Sequence, residues 1–212
     1  MKKQSIFYKY PFFYKHALKL IHGKNLKRRY RVMANFIKEK ENILEPACGL
    51  ASFADFLPKK SFYSGFDLNT NFIKYIQKKH KNFKIFVGDI LSLKNYSPVD
   101  VIVICDVLHH LKPDDRKLFL KNCFKVVKKR IIICEPKGKE KFVFGKKFFD
   151  YFEQDGINEV KAENFWTEKK LKKEIKDGFN VIPNSAHREI QEIGKDIICV
   201  FFKEKNLLKK NS

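Results

Sequence analysis

The sequence predicts an α/β fold: a doubly wound sheet of seven mostly parallel strands with an antiparallel final strand and helices on both faces. Three observations lead to this prediction. Short apolar segments alternate with segments of helical periodicity over residues 42–136, which is typical of parallel strands joined by helices. The run VDVIVICD at residues 99–106 is apolar enough for a central strand buried on both faces. The last part of the chain breaks the alternation, which indicates two closing strands without a helix between them.

Each element follows from a local pattern. Apolar runs that end in turn residues predict strands at residues 42–47, 61–67, 83–89, 99–106 and 130–136, and the closing strands at 178–182 and 197–203. Apolar spacing of three and four predicts helices at residues 50–57, 70–80, 114–127 and 167–176. Asp114 and Thr167 are placed to cap the last two of these helices, and the inner face of the helix at 114–127 is expected to include Leu118, Asn122 or Cys123, and Phe124.

The chain is predicted to divide after residue 41. Residues 1–41 form an N-terminal helical extension, because apolar residues recur at helical spacing in two stretches of it. Residues 42–212 form the main domain. Within it, residues 136–166 leave the fifth strand at the edge where open parallel sheets bind ligands, so this insertion is predicted to act as a lid. Six of its aromatic residues support that role: Phe142, Phe144, Phe148, Phe149, Tyr151 and Phe152.

The composition excludes several classes of protein. The chain has 212 residues and is 44% apolar, which is enough for a folded core, and no apolar run reaches the roughly 18 residues of a membrane span. Lysines interrupt the N-terminal aromatic residues, so no secretory signal is predicted. The five cysteines lack CxxC spacing and lie mostly in apolar segments. This usage favours buried thiols in a reducing cytoplasm and predicts no metal site.

The formal net charge of +21 leaves two explanations open. A basic surface attracts nucleic acid or an anionic membrane. Lysine supplies most of the charge, however, and it is spread along the whole chain, as an AT-rich genome alone would produce. The stretch at residues 5–31 interleaves aromatic and basic residues, which is typical of helices that rest among lipid headgroups. We therefore expect a cytoplasmic protein with peripheral contact to the inner face of a membrane.

The turn after the first strand predicts a ligand site. An apolar run ends in Glu45 and continues into the small residues Ala47, Cys48 and Gly49 before a helical pattern begins. Such a turn exposes backbone amides and lets a ligand approach the chain closely. Asp67 ends the next strand about twenty residues further on, where a carboxylate accepts both hydroxyls of a ribose. These features predict a nucleoside-containing cofactor, and the lack of a Lys-Ser/Thr pair after the turn argues against a P-loop.

Four motifs in order resemble those of the class I S-adenosylmethionine-dependent methyltransferases. The family's first motif, an acid followed by glycines at alternate positions, reads EPACGLA at residues 45–51; the others are GFDLN at 65–69, VGDI at 87–90 and CDVLHHL at 105–111. The resemblance covers about residues 40–135 and looks most like the branch that acts on small molecules and isoprenoid quinones. Ala47 and Ala51 depart from the pattern because each adds a methyl group where the family has glycine.

The resemblance implies a Rossmann-like fold, S-adenosyl-L-methionine as cofactor and methyl transfer to a small, hydrophobic or lipid-like acceptor. Asp67 would hold the ribose and Asp89 the adenine. The residues that the resemblance places at the cofactor are Glu45, Ala47, Gly49, Asp67, Leu68, Asp89, Ile90 and Cys105. The residues that it places at the reacting centre or the acceptor are Asp106, His109 and His110.

Two other functions stay open at this point. An RNA or protein methyltransferase would use the basic surface, but the fourth strand lacks the Asn/Asp-Pro-Pro-aromatic turn that holds a flipped base, so nucleic acid is the less favoured partner. A nucleotide-binding oxidoreductase or a catalytically silent binder would need glycines that admit a pyrophosphate. Glu135 is assigned either to the cleft or to the loop beside it, and Trp166 is expected in the core rather than in the acceptor wall.

Overall fold

Seven strands form one sheet in the part of the chain that the structure describes. The structure is a computed structural model, and it describes residues 5–137, 151, 154, 166–183 and 186–203. The strands are β1 (Asn42–Pro46), β2 (Phe62–Asp67), β3 (Lys84–Val87), β4 (Val99–Cys105), β5 (Val127–Pro136), β6 (Arg188–Ile193) and β7 (Asp196–Phe202). Their order is β3-β2-β1-β4-β5-β7-β6. The first five strands pair in parallel and β7 is antiparallel to its two neighbours, which confirms the predicted fold class.

The centre of the sheet is apolar because β4 is covered on both faces. Val101, Ile102, Val103 and Ile104 have no exposed surface. The chain order reverses between the neighbouring strands β1 and β4: β2 and β3 follow on one side, and β5 follows on the other. The crevice outside the carboxyl ends of the strands at such a reversal is the usual ligand site of an open α/β sheet.

Helices cover both faces of the sheet, as the alternating pattern predicts. The described helices are α1 (Ile6–Lys9), α2 (Pro11–His22), α3 (Asn25–Ala34), α4 (Thr70–Lys79), α5 (Pro113–Val126) and α6 (Glu168–Lys176). Helices α3 and α4 pack on one face, where Met33 and Ile76 join the apolar core. Helices α5 and α6 pack on the other, where Phe119 and Leu171 are fully buried.

The N-terminal helices follow the predicted apolar spacing. Helix α2 buries Ala17 and Leu18, and helix α3 buries Tyr30 and Met33. The division into an extension at 1–41 and a domain at 42–212 stays a prediction. The lid predicted at residues 136–166 lies almost entirely outside the described residues, and so do five of its six aromatic residues: Phe142, Phe144, Phe148, Phe149 and Phe152.

Two predictions of secondary structure are wrong. The strand predicted at 178–182 is a turn of 3-10 helix at Gly178–Asn180, where Phe179 and Asn180 have positive φ angles. The sixth strand lies instead at Arg188–Ile193, whose sequence REIQEI is mostly polar because it is an edge strand with largely exposed side chains. The helix predicted at residues 50–57 is a short 3-10 helix at Ser52–Phe56.

The details predicted for α5 also need correction. The helix begins at Pro113 with Lys112 at the N-cap, and no side chain caps it, so Asp114 lies in the first turn instead. Its buried face comprises Phe119, Leu120, Asn122 and Cys123, whereas Leu118 is exposed. The buried face is thus rotated by about one residue from the predicted one. Thr167, by contrast, accepts a hydrogen bond from the Lys170 amide and caps α6 as predicted.

The cysteines and the hydropathy of the helices agree with the composition. Four cysteines are buried free thiols and Cys105 is partly buried, as their apolar neighbours predict. Within the described ranges, none of the helices combines the length and the apolar character that crossing a bilayer requires.

Candidate active site

The turn after β1 contains three left-handed residues at alternate positions. Ala47, Gly49 and Ala51 have φ angles of 55°, 53° and 51°. This conformation costs an ordinary L-residue roughly 1–2 kcal/mol, whereas glycine adopts it readily. The Ala51 amide closes the turn by donating to the Cys48 carbonyl at 2.7 Å. The two alanines that depart from the glycine pattern therefore lie where the backbone geometry favours glycine.

The carboxylate of Asp67 joins this turn to β2. Its Oδ2 accepts a hydrogen bond from the Gly49 amide at 2.9 Å, and its Oδ1 accepts one from the Asn69 amide at 2.8 Å. Gly65 permits the close approach, because a Cβ at that position would lie 3.0 Å from the Cβ of Cys48. Carboxylate oxygens accept more than one hydrogen bond each. The side chain that fixes the turn is therefore also able to accept the hydroxyl groups of a ligand.

The end of β3 adds Asp89 and Ile90 to the same edge. The Gly88 amide donates to the Asp67 carbonyl at 3.1 Å, so the turn after β3 is tied to the end of β2. Asp89 accepts a hydrogen bond from the Leu91 amide at 2.8 Å, which gives its carboxylate a role in shaping the turn. The structure thus places Asp89 and Ile90 beside Asp67, and their contact with adenine stays a prediction.

Glu45 lies in the interior, whereas Leu68 is exposed beside Asp67. Glu45 is 5% exposed and accepts a hydrogen bond from the Tyr63 hydroxyl. Burial raises the pKa of Glu45 to about 8, against the opposing effect of that hydrogen bond. The carboxyl group is therefore largely protonated at neutral pH. The contact with the cofactor that the resemblance implies for Glu45 stays a prediction, and so does a role for Leu68.

The N-terminal helices lie over the turn. Tyr14 of α2 faces Gly49, because the Tyr14 ring is what a Cβ built on Gly49 would meet first, at 3.8 Å. The side-chain amide of Asn69, just beyond Asp67, donates to the Tyr8 carbonyl at 2.6 Å. A ligand held by the turn would therefore share this space with Tyr14.

Asp106 follows β4 and is paired with Arg29 of α3. The guanidinium Nη1 and Nη2 donate to the two carboxylate oxygens at 3.0 and 2.6 Å. Arg29 is fully buried and also lies 3.7 Å from the carboxylate of Asp196, and His22 is 3.7 Å from Asp196 and 4.0 Å from Asp106. Burial by itself would raise the pKa of Asp106, but Arg29 and then His22 lower it to about 2. Asp106 is therefore ionised throughout the neutral range.

Arg29, His22 and Asp196 were not predicted as site residues, because they come from elements that are distant in the chain. One signal was present in the sequence. Arg29 falls three residues after Leu26 and four before Met33, on the apolar stripe of α3. A cation on a buried stripe requires an anionic partner, although the sequence does not say which one.

The loop after β4 is held by Glu135 at the end of β5. The Oε1 atom of Glu135 accepts hydrogen bonds from the amides of Val107 and Leu108 at 2.9 and 2.8 Å. Its Oε2 accepts one from Nδ1 of His109 at 2.7 Å. Glu135 and His109 are both buried. These contacts assign Glu135 to the loop, and they fix the orientation of the His109 ring.

His110 and Cys105 complete this side of the site. The partly buried His110 ring lies beside that of His109, with 4.3 Å between the ring centroids. Cys105 Sγ is 3.8 Å from the carboxylate of Asp106. Trp166 is 2% exposed in the core, as expected, and the Arg116 guanidinium lies 4.1 Å from the centre of its ring.

Most of the site residues form two groups on one edge of the sheet, and Leu68, Asp89 and Ile90 lie near the first of them. The first, called the β1 turn below, comprises residues 47–51 together with Asp67. The second, called the β4 loop, comprises residues 105–111 together with Glu135 and Arg29. The structure brings the predicted residues of each group together, with Glu45 set apart in the interior.

Comparison with known proteins identifies a methyltransferase domain in this chain, in agreement with the resemblance of its sequence motifs. Residues 43–130 match a family model described as a methyltransferase domain. The methyltransferase domain of bacterial CtHen1 has a TM-score of 0.64 at 16% identity, over 85% of this chain and 100% of that chain. The CurJ carbon methyltransferase has a TM-score of 0.64 at 13% identity, over 88% of this chain and 57% of that chain. Magnesium protoporphyrin IX methyltransferase (ChlM) from Synechocystis PCC 6803, solved with bound SAH, has a TM-score of 0.60 at 11% identity, over 85% and 84% of the two chains.

At these identities, the solved structures establish the fold and do not identify an acceptor. No curated protein matches the chain in sequence.

Proposed function

We propose that this chain is a class I S-adenosylmethionine-dependent methyltransferase that transfers a methyl group from that cofactor to a small, hydrophobic or lipid-like acceptor. The observation that carries the proposal is the contact between Asp67 and the Gly49 amide, inside the matched domain and at the reversal point of the sheet. This contact places the Asp67 carboxylate, which can accept hydrogen bonds from a ligand, beside Gly49, where no side chain blocks the backbone.

The residues of the β1 turn fit the cofactor. A Cβ on Gly49 would meet nothing closer than the Tyr14 ring at 3.8 Å, so the turn leaves room against the backbone. Asp67 would accept the ribose hydroxyls, and Asp89 with Ile90 would lie near the adenine. The bound cofactor supplies a methyl group activated by a sulfonium centre. The protein's part is to hold the acceptor atom in line with that methyl group, which by itself accelerates a displacement greatly.

The charges of the β4 loop support an apolar acceptor. Asp106 is paired with Arg29, and Glu135 with His109. The carboxylates of Asp106 and Glu135 thus already have partners, the guanidinium of Arg29 for Asp106 and three N–H donors for Glu135, so the loop favours an acceptor that brings no strong charge of its own. Sharing a fold with a carbon methyltransferase and a porphyrin methyltransferase is compatible with a small acceptor.

From the same contacts we infer a different role for each of the three candidate catalytic residues. Burial would raise the pKa of Asp106, but Arg29 and His22 hold it at about 2. Asp106 is therefore too weak a base to accept a proton at neutral pH. We assign it an electrostatic role toward a cationic centre. Where the acceptor must lose a proton, His109 is the side chain that Glu135 orients for that task. His110 would then contact the acceptor.

Calorimetry on Asp67→Ala tests the cofactor assignment. Loss of the charged hydrogen bonds to the ribose should weaken binding of S-adenosylmethionine by about 1.5–3 kcal/mol. Asp55→Ala is the control, since Asp55 is an exposed carboxylate that pairs with Lys79. Affinity of Asp67→Ala equal to that of the wild type would overturn the assignment. Binding of NADH in place of S-adenosylmethionine would be consistent with the fold but would overturn the proposed function.

A transfer assay tests the acceptor class. The protein and tritiated S-adenosylmethionine are added to a lysate, which is then separated into lipid, RNA and protein pools. We expect label in the lipid or small-molecule fraction. Label in RNA or protein alone would favour the alternative, an RNA or protein methyltransferase that uses the basic surface of the chain.

A further inference from the structure

The N-terminal helices expose an unusual amount of apolar surface. Among the described residues, thirteen large apolar side chains are exposed, and five of them lie within fifteen residues of the chain. We call these five the N-terminal apolar surface: Ile6, Tyr10, Phe12, Phe13 and Leu20. Phe12 is 65% exposed, although its ring contacts those of Phe13 and His16. Clustering of this kind marks an interaction site rather than the scattered apolar residues of an ordinary surface.

Packing on the sheet does not account for these side chains. Helix α2 already has an inner apolar face, on which Ala17 and Leu18 are buried and Tyr14 reaches the turn at Gly49. Phe12, Phe13 and Leu20 lie outside that inner face and are exposed. Helix α2 therefore carries apolar side chains beyond its inner face that the described part of the chain does not cover.

The stretch of sequence that carries this surface has positive charges only. Residues 1–38 contain eleven lysines and arginines and no aspartate or glutamate. On α2, the exposed residues Lys15 and Lys19 are one helical turn apart, and Lys15 is one turn from Phe12. An arrangement of aromatic and aliphatic groups edged by lysines matches the boundary between acyl chains and anionic headgroups.

We propose that the N-terminal apolar surface docks on an anionic phospholipid membrane, with Phe12 and Leu20 at the acyl boundary and Lys15 and Lys19 at the phosphates. Leu20 and Ile6 distinguish this partner from nucleic acid, because aliphatic side chains gain from hydrocarbon and offer no ring on which a base could stack. Docking is peripheral, since no described helix has the length and apolar character of a membrane span.

Docking there would bring the membrane to the candidate active site. Tyr14 contacts the turn at Gly49 from the inner side of the helix whose outer side carries Phe12, and a helix is only about 10 Å across. The inference itself does not depend on methyl transfer. It supplies a source for a lipid-like acceptor if the proposed function holds, and it can be tested without any activity assay.

Vesicle sedimentation tests the proposal with the full-length chain. Wild type is mixed with vesicles of phosphatidylcholine alone or of phosphatidylcholine with phosphatidylglycerol, at low and high salt. We expect binding to the anionic vesicles at low salt, weaker binding at high salt and little binding to the neutral vesicles. The part of the binding that resists salt should match the weak binding to neutral vesicles, because apolar insertion is not screened.

Two pairs of variants identify the surface. Phe12→Ser should reduce vesicle binding about fivefold, whereas Phe62→Ser should leave it unchanged, since Phe62 is 63% exposed at the start of β2 and lies outside the surface. Lys15→Glu/Lys19→Glu should reduce binding at least tenfold, at about fivefold per lost lysine. Its control, Lys117→Glu/Lys121→Glu, has the same spacing on the exposed side of α5 and should have little effect.

Several results would overturn the proposal. One is no binding to anionic vesicles at low salt, and another is an equal loss of binding for Phe12→Ser and Phe62→Ser. In a third, total RNA displaces the chain from vesicles, and RNA binding is reduced in Lys15→Glu/Lys19→Glu and unchanged in Phe12→Ser. That result would assign the surface to nucleic acid. Sedimentation velocity that shows a dimer in the wild type and a monomer in Phe12→Ser would assign it to a second copy of the chain.

Discussion

The β1 turn and the β4 loop lie on one edge of the same sheet but are held in different ways. In the β1 turn, backbone amides bind the carboxylate of Asp67 from no more than 18 residues away in the chain. In the β4 loop, an ion pair joins Arg29 to Asp106 across 77 residues, and a hydrogen bond joins His109 to Glu135 across 26. A local arrangement is visible in the order of residue types. A distant pair becomes visible only after the chain has folded.

The largest expected effect tests the long-range contacts of the β4 loop. Arg29→Met keeps an unbranched side chain but removes the cation that lies between Asp106 and Asp196. Two carboxylates, one of them fully buried, would lose their partner, so the free energy of unfolding should fall by about 3–5 kcal/mol. Urea denaturation at neutral pH, followed by circular dichroism, measures this change.

Arg28→Met is the matched control for that experiment. Arg28 is the preceding residue of α3 and is exposed, so its replacement should change stability by less than about 0.5 kcal/mol. If Arg29→Met were as stable as Arg28→Met, the ion pair would not be what fastens α3 to the end of β4.

The next largest effect concerns Glu45, the first residue of the motif EPACGLA, whose side chain lies in the interior and not in the β1 turn. Burial raises its pKa from 4.5 to about 8. The folded protein therefore keeps a proton that the unfolded chain has released, so stability is fully present below about pH 4.5 and is lost as the pH rises toward 8. We expect a loss of about 2 kcal/mol between pH 6 and pH 8 from this group.

Glu45→Gln isolates that contribution, because an amide does not titrate and its oxygen can still accept the Tyr63 hydrogen bond. Urea unfolding at a series of pH values should show a flatter profile for Glu45→Gln than for the wild type. The exposed Glu39 offers the control, and Glu39→Gln should keep the wild-type profile. Parallel profiles for all three proteins would show that Glu45 is ionised in the folded state.

The contrast between the two regions also explains what could be predicted from the sequence. Strands β1 to β5 and the motif residues Gly49 and Asp67 were identified because apolar runs and small-residue turns are local patterns. Strand β6 was missed because the edge of a sheet requires few apolar side chains, and REIQEI carries only two. The position of Tyr14 against Gly49 was missed because it depends on how α2 docks on the sheet.

The smallest expected effect tests whether the strain of the β1 turn matters. Ala47→Gly removes a left-handed cost of about 1–2 kcal/mol, and the greater backbone entropy of unfolded glycine offsets about 0.5–1 kcal/mol of that gain. Stability should therefore rise by about 0.5–1 kcal/mol in urea denaturation. The gain should be smaller for Ala51→Gly, because Ala51 is 1% exposed and its methyl group is packed in the core.

Ala54→Gly separates relief of strain from a general tolerance of glycine. Ala54 is buried in the 3-10 helix at Ser52–Phe56 and has no positive φ angle, so glycine there should destabilise the protein by about 1 kcal/mol. If Ala47→Gly raises the stability and Ala54→Gly lowers it, then the turn is strained at Ala47 and its contacts with Asp67 keep it in that shape. A loss of stability for both would mean that neighbouring contacts have already relaxed the turn. In that case the local motif, like the β4 loop, would depend on the fold around it.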